Sequence, residues 1–208
     1  MIIINFKAYV TGKEALKLAK ICEQVSRAKK IPISIAVQAA DISLISSKVS
    51  IAVLAQHADG AQKGAFTGTV LPESIAEAGA VGSLLNHSEK QISLQEIESA
   101  VKRLRQLGLI SVVCARTPAE ARKISLFKPD IIAIEPPELI GGRISVTDAK
   151  PEVVTRVTHA VHTPVICGAG IHTKKDIRRA KDLGAIGVLI SSGVVLAKNQ
   201  KKAIENLF

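Results

Sequence analysis

Short aliphatic runs recur along the chain with little polar interruption, at 2–6, 31–37, 51–55, 80–85, 110–114, 130–134, 163–167 and 186–190. Runs of this length, rich in Ile, Val, Leu and Ala, suit strands covered on both faces. Between them the apolar spacing changes to three and four. From Gly12 to about residue 28, Ala15, Leu18, Ala19, Cys22 and Val25 share one helical face, while Lys17, Lys20, Glu23 and Arg27 turn away from it. Ser93-x-x-Glu96 and Thr117-Pro118-x-Glu120 predict capping boxes at two later helix starts, the second with Pro at the first helical position. The stretch 41–47 carries the faintest helical pattern.

Eight strand-plus-helix units in 208 residues leave about 26 residues to each, with no Ser/Gly linker or shift in composition to divide them. The pattern predicts an α/β fold: a single (β/α)8 barrel over residues 1–208, compact, with several helices and loops cut short. A doubly wound open sheet shares the alternation, because periodicity does not report closure. No sequence similarity links one unit to the next, so the repeat is structural only.

Hydrophobic residues make up 47% of the chain and aromatic ones 2%, so a large core is available and it is aliphatic. No apolar run approaches the roughly 18 residues of a membrane span, and Met1-Ile2-Ile3-Ile4 lacks the basic start and cleavage site of a signal peptide. The expectation is a cytoplasmic protein with no membrane association. Cys22, Cys114 and Cys167 are odd in number and far apart, which favours buried free thiols over zinc or redox pairs. The formal charge of +10 could attract nucleic acid or a small anion, but its basic residues are dispersed. One Tyr, no Trp and four Phe supply little surface for stacking bases, so no nucleic-acid partner is expected.

In a (β/α)8 barrel the loops after the strands build the site, so polar residues that follow apolar runs are the candidates. Asn5 and Lys7 follow the first run, His87 the fourth and Glu135 the sixth. Asn5 and Lys7, two apart, can point to one side. Lys7 brings fixed positive charge, His87 a hydrogen-bond donor and Glu135 a base. After Glu135 come Pro136 and Pro137, which stiffen the loop, and then Gly141 and Gly142, which loosen its exit. A stiff start and a permissive end describe a lid. Gly168-Ala169-Gly170 and Ser191-Ser192-Gly193, after the last two runs, suit an anion held by backbone N–H groups. Each residue alone has a plainer role: Lys7 in a salt bridge, His87 as a loop hydrogen-bonder, Glu135 before a Pro-rich turn, the glycines as turns.

Asn5-Phe6-Lys7, Gly64-Ala65-Phe66-Thr67-Gly68, Asn86-His87-Ser88-Glu89 and the run from Ile134 to Gly141 resemble, in order and spacing, the triosephosphate isomerase family, particularly its short archaeal branch. The resemblance runs nearly end to end. It implies a TIM barrel that interconverts dihydroxyacetone phosphate and D-glyceraldehyde 3-phosphate through an enediolate, without metal or cofactor. By position, Glu135 would be the base, His87 the neutral electrophile, Lys7 the oxyanion stabiliser and Asn5 a substrate-orienting residue. Ile140, Gly141, Gly170, Ser191 and Ser192 would grip phosphate, and the 136–143 lid would close over it. Glu89 would pair with a basic side chain. Thr67 would reach a neighbouring subunit, which implies a homo-oligomer, in the archaeal branch a tetramer rather than a dimer.

Three departures stand out. Gly142-Arg143 replaces the family's common Thr-Gly after the lid's first Gly, and Arg143 is expected to face solvent. Cys167 stands where many members carry a Tyr whose hydroxyl could latch the lid. Ser191-Ser192 replaces a common Gly-Gly. Of the remaining histidines, His159 and His162 are three apart but lack further ligands, and His57 and His172 have no recognisable context, so no metal is expected. The competing readings are another phosphosugar enzyme on the same barrel and a catalytically silent module for phosphate ligands or nucleic acid.

Overall fold

The computed structural model describes residues 1–139, 142 and 145–208. Eight parallel strands close in chain order: β1 (Ile2–Asn5), β2 (Ile33–Val37), β3 (Val53–Ala55), β4 (Gly82–Leu85), β5 (Ile110–Ala115), β6 (Ile131–Ile134), β7 (Val165–Cys167) and β8 (Gly187–Ile190). Closure is made by β1 against β8, with Ile2, Ile3 and Ile4 opposite Val188, Leu189 and Ile190. The open sheet is thereby excluded. Several strands begin one or two residues later than the aliphatic runs. The lead-in residues already accept ladder bonds, as Pro32 O does from Ile2 N and Ala52 O from Ile35 N, but do not yet pair in register.

The helices are α1 (Gly12–Lys29), α2 (Ile42–Ser46), α3 (Pro72–Glu77), α4 (Leu94–Gln106), α5 (Pro118–Ser125), α6 (Val146–Ala149), α7 (Pro151–Ala160), α8 (Lys174–Asp182), α9 (Ser192–Val195) and α10 (Gln200–Glu205). The barrel's small size is absorbed mainly in α2 and α3, of five and six residues. The faint 41–47 pattern does form a helix, α2, which buries Ile42 and Ile45. On α1 the expected face, Ala15, Leu18, Ala19, Cys22 and Val25, is buried.

Ser93 and Glu96 form the full reciprocal capping box of α4. At α5 only half of the predicted box exists. Thr117 accepts from Glu120 N, but the Glu120 carboxylate is held by the backbone and guanidinium of Arg116 and by Asn86. Asp176 completes a box with Thr173 at the start of α8.

Side-chain alternation along each strand splits the core in two. Ile3, Ala36, Leu54, Leu84, Val112, Cys114, Ile131, Ala133, Ile166 and Leu189 fill the barrel interior. Ile2, Ile4, Ile35, Leu85, Val113, Ile134 and Val188 belong to the larger cluster packed beneath the helices. All three cysteines are free and buried.

Candidate active site

The inward parity of the strands decides which polar residues meet. One step of two beyond an interior apolar residue lies Asn5 after Ile3, Gln38 after Ala36, Gln56 after Leu54, Glu135 after Ala133, Gly168 after Ile166 and Ser191 after Leu189. These positions ring the mouth of the barrel at the C-terminal ends of its strands, where such barrels carry their chemistry. A cavity there is lined by Asn5, Lys7, Tyr9, His87, Glu135, Gly142, Gly168, Gly170, His172, Ser191, Ser192 and Gly193, among others.

Glu135 is buried at the end of β6, with only 3% of its surface exposed. Its backbone N–H donates to Ala115 O, extending the β5–β6 ladder by one bond. Gly168 explains how a carboxylate fits here: a Cβ at Gly168 would lie 2.5 Å from Glu135 Cγ and 2.6 Å from Oε1. Glycine at that position serves close approach of the carboxylate. Burial pushes the Glu135 carboxyl up to about 7, against the downward pull of the adjacent Cys114 thiol and the Lys7 ammonium, while Glu89 adds to the rise. Oε2 has no hydrogen-bond partner among the described residues and lies 3.8 Å from His87 Nε2.

His87 has a defined tautomer. Glu89 N donates to its Nδ1 at 3.2 Å, so Nδ1 is a lone-pair acceptor and Nε2 carries the proton that faces Glu135. Burial, with the Lys7 charge, lowers the imidazole below its ordinary value, and Glu89 opposes them. The ring is therefore neutral at physiological pH. Asn86 holds the turn before it in a left-handed conformation, φ 55°, donating to Cys114 O and Glu120 and accepting from Ile92 N.

Lys7 also has a left-handed backbone, φ 50°. Its N–H donates to Asn5 Oδ1 at 2.9 Å, and its carbonyl accepts from Gln56 at 2.9 Å and Gln38 at 3.3 Å. Lys7 thus sits beyond the strand, and the simple two-residue alternation expected to align it with Asn5 is replaced by this turn. The Nζ contacts Glu89 Oε1 at 2.6 Å. The expected partner of Glu89 is therefore Lys7 itself.

Gly170, Ser191 and Ser192 line the same cavity, from the loops that follow β7 and β8. The Ser191 hydroxyl is buried without a partner among the described residues. Ile140, Gly141 and Arg143 lie outside the described residues. The loop before them forms a single 3-10 turn, Pro137–Leu139. His159 and His162 are exposed at the end of α7, away from the cavity, and no cluster of three His, Cys, Asp or Glu among the described residues could hold a metal.

Sequence reasoning gave no role to Gln38, Gln56, Asn86 or His172. The first two are readable from parity, lying two residues beyond interior Ala36 and Leu54, whereas His172 carries no such signal.

A buried carboxylate facing a neutral imidazole in the mouth of a closed parallel barrel places the chain among (β/α)8-barrel enzymes. The family model described as triosephosphate isomerase matches residues 1–207, and the chain belongs to that family. It is 48% identical to the triosephosphate isomerase of Methanothermus fervidus over all of this chain and 96% of that protein. The triosephosphate isomerase of Archaeoglobus fulgidus is likewise 48% identical, with the same coverage. The crystal structure of triosephosphate isomerase from Bartonella henselae shares the fold, with a TM-score of 0.73 over 91% of each chain at 20% identity.

Proposed function

We propose that this chain, an isomerase by family, interconverts dihydroxyacetone phosphate and D-glyceraldehyde 3-phosphate through an enediolate, with Glu135 as the base. The pairing of a carboxylate base with a neutral imidazole electrophile is the established scheme of the family. The observation that carries the assignment is the 3.8 Å approach of Glu135 Oε2 to His87 Nε2, with the tautomer set by Glu89 N.

Ionised Glu135 removes a proton from the carbon beside the carbonyl. His87 Nε2–H and the Lys7 ammonium stabilise the negative charge that grows on oxygen, which a carboxylate alone could not support. Glu135, now carrying the proton, returns it to the neighbouring carbon. Asn5 contributes by holding the Lys7 turn and by presenting its amide to the cavity. Gly170, Ser191 and Ser192 bind phosphate, joined by the loop through Ile140 and Gly141, whose shutting excludes water from the enediolate. No metal or cofactor takes part in this scheme.

The chain acts as one domain in the cytoplasm. No helix among the described residues is long and apolar enough to cross a membrane. It works as a homo-oligomer, a tetramer before a dimer. Exposure of Phe66, 55%, in the loop that carries Thr67 supports a subunit contact there.

Isomerisation of D-glyceraldehyde 3-phosphate in a coupled assay without added metal tests the reading, wild type beside Glu135→Gln. Turnover that falls by roughly a thousandfold in the variant supports it, in line with loss of a positioned base. A folded wild type without turnover overturns it.

A further inference from the structure

Of the five histidines, His172 is the one that acquires a place at the cavity which the sequence does not announce. It stands in the turn between β7 and α8, and its backbone is pinned. One oxygen of Asp176, at the start of α8, accepts from His172 N at 3.0 Å, Thr173 N at 2.8 Å and Thr173 Oγ1 at 2.9 Å. The half-buried ring then spans two loops. Its Nε2 lies 2.9 Å from the carbonyl oxygen of Gly142, and because a carbonyl only accepts, Nε2 is the protonated donor. Its Nδ1 stands against Gly193, where an added Cβ would come within 2.7 Å of it.

We propose that His172 is a positioning residue that fastens the β6 loop, at Gly142, to the phosphate side of the cavity formed by the β7 and β8 loops. His172 supplies its donor from just before the capped start of α8, where Thr173 and Asp176 hold the turn. Gly193 stays small so that the ring can stand between the two loops.

The inference rests on the isomerase reading. With the β6 loop less firmly held, the bound triose phosphate is gripped less tightly and the enediolate is less well protected. Its electron pair can then expel the phosphate: the carbon–oxygen bond to phosphate breaks, inorganic phosphate leaves, and the enol of methylglyoxal is left behind.

Wild type, His172→Gln, His172→Phe and His172→Ala are compared by kcat, by KM for D-glyceraldehyde 3-phosphate and by inorganic phosphate released per turnover. Removing the donor should raise KM roughly three- to tenfold, the scale of one lost hydrogen bond, with a smaller change in kcat and more phosphate released. The Gln amide can donate to the same carbonyl and should recover most of the loss. If the Phe variant does not fold, the Ala and Gln variants make the same contrast. A Phe or Ala variant equal to wild type in KM and phosphate release overturns the proposal, as does a Gln variant as impaired as Ala. A folded wild type without turnover instead overturns the isomerase reading, and the latch with it.

Discussion

The strands of the barrel and the mouth above them treat their polar groups differently. In the body, small polar groups are satisfied: Ser83 Oγ donates to Leu84 O at 2.7 Å, and Ser111 Oγ donates to Asp130 at 2.7 Å. Glycine there buys backbone contact, since a Cβ at Gly82 would lie 2.1 Å from Ile110 O and one at Gly187 2.3 Å from Met1 O. At the mouth, Glu135 Oε2 and Ser191 Oγ are buried without partners among the described residues, as Asp41 Oδ2, Glu73 Oε2 and Arg103 Nε are elsewhere, and Lys7 and Asn86 take left-handed backbones, as Lys30 and Lys128 do in the loops before β2 and β6. Unpaired buried polar groups cost stability, and so does a strained backbone. The body resists unfolding, whereas the mouth holds polar groups ready for a ligand.

The largest effect should separate the two regions by chemistry. Glu135→Gln is expected to cost roughly a thousandfold in turnover. In the wild type, the carboxyl pushed up to about 7 must be ionised to act, while the imidazole of His87, lowered from its ordinary value, stays neutral. Accordingly kcat/KM should rise tenfold per pH unit up to about 7 and then level off. A profile flat from pH 5 to 8 would remove the assignment of Glu135 as a buried base.

Next in size, the same substitution should stabilise the protein. Folded Glu135 keeps its proton up to about 7, whereas an unfolded Glu loses it near 4.5, so the folded state binds more protons between those values and stability falls as pH rises. Glu135→Gln should therefore be more stable than wild type by about 3 kcal/mol at pH 8, with the gap closing toward pH 4. Urea unfolding at the two pH values measures this. An equal gap at both would mean that the mouth stores no such cost.

Gly82→Ala reverses the expectation. Crowding the Ile110 carbonyl should destabilise the chain by about 2 kcal/mol, while the folded protein keeps its kcat. Loss of turnover without loss of stability would break the division between body and mouth. The smallest effect expected is that of Ser93→Ala, which removes the α4 capping box and should cost about 1 kcal/mol in thermal or urea unfolding with KM unchanged.

Much of this was legible along the chain. Aliphatic runs and helical spacing located every strand and even the short α2, because local periodicity reports which faces are covered. Asn5, Lys7, His87 and Glu135 stood out as polar residues following apolar runs, and the structure brings all four to one cavity together with Gly170, Ser191 and Ser192. Ladder starts were less legible, since the first residues of a run such as 51–55 accept a bond before they pair. The half-formed box at α5 was not legible at all, because Arg116 and Asn86 compete for Glu120 through space.

By itself, then, the sequence determined the alternation of strand and helix, the aliphatic character of the core and the identity of the groups that carry charge. Those follow from side-chain chemistry and spacing within one segment. Tertiary structure alone decided that the sheet closes, that Gln38 and Gln56 hold the Lys7 turn, that Gly168 yields its space to Glu135, and that His172 reaches Gly142. Each of these joins residues far apart in the chain. The raised carboxyl of Glu135 is of the same kind, for it comes from removing water on every side, and no single segment can do that.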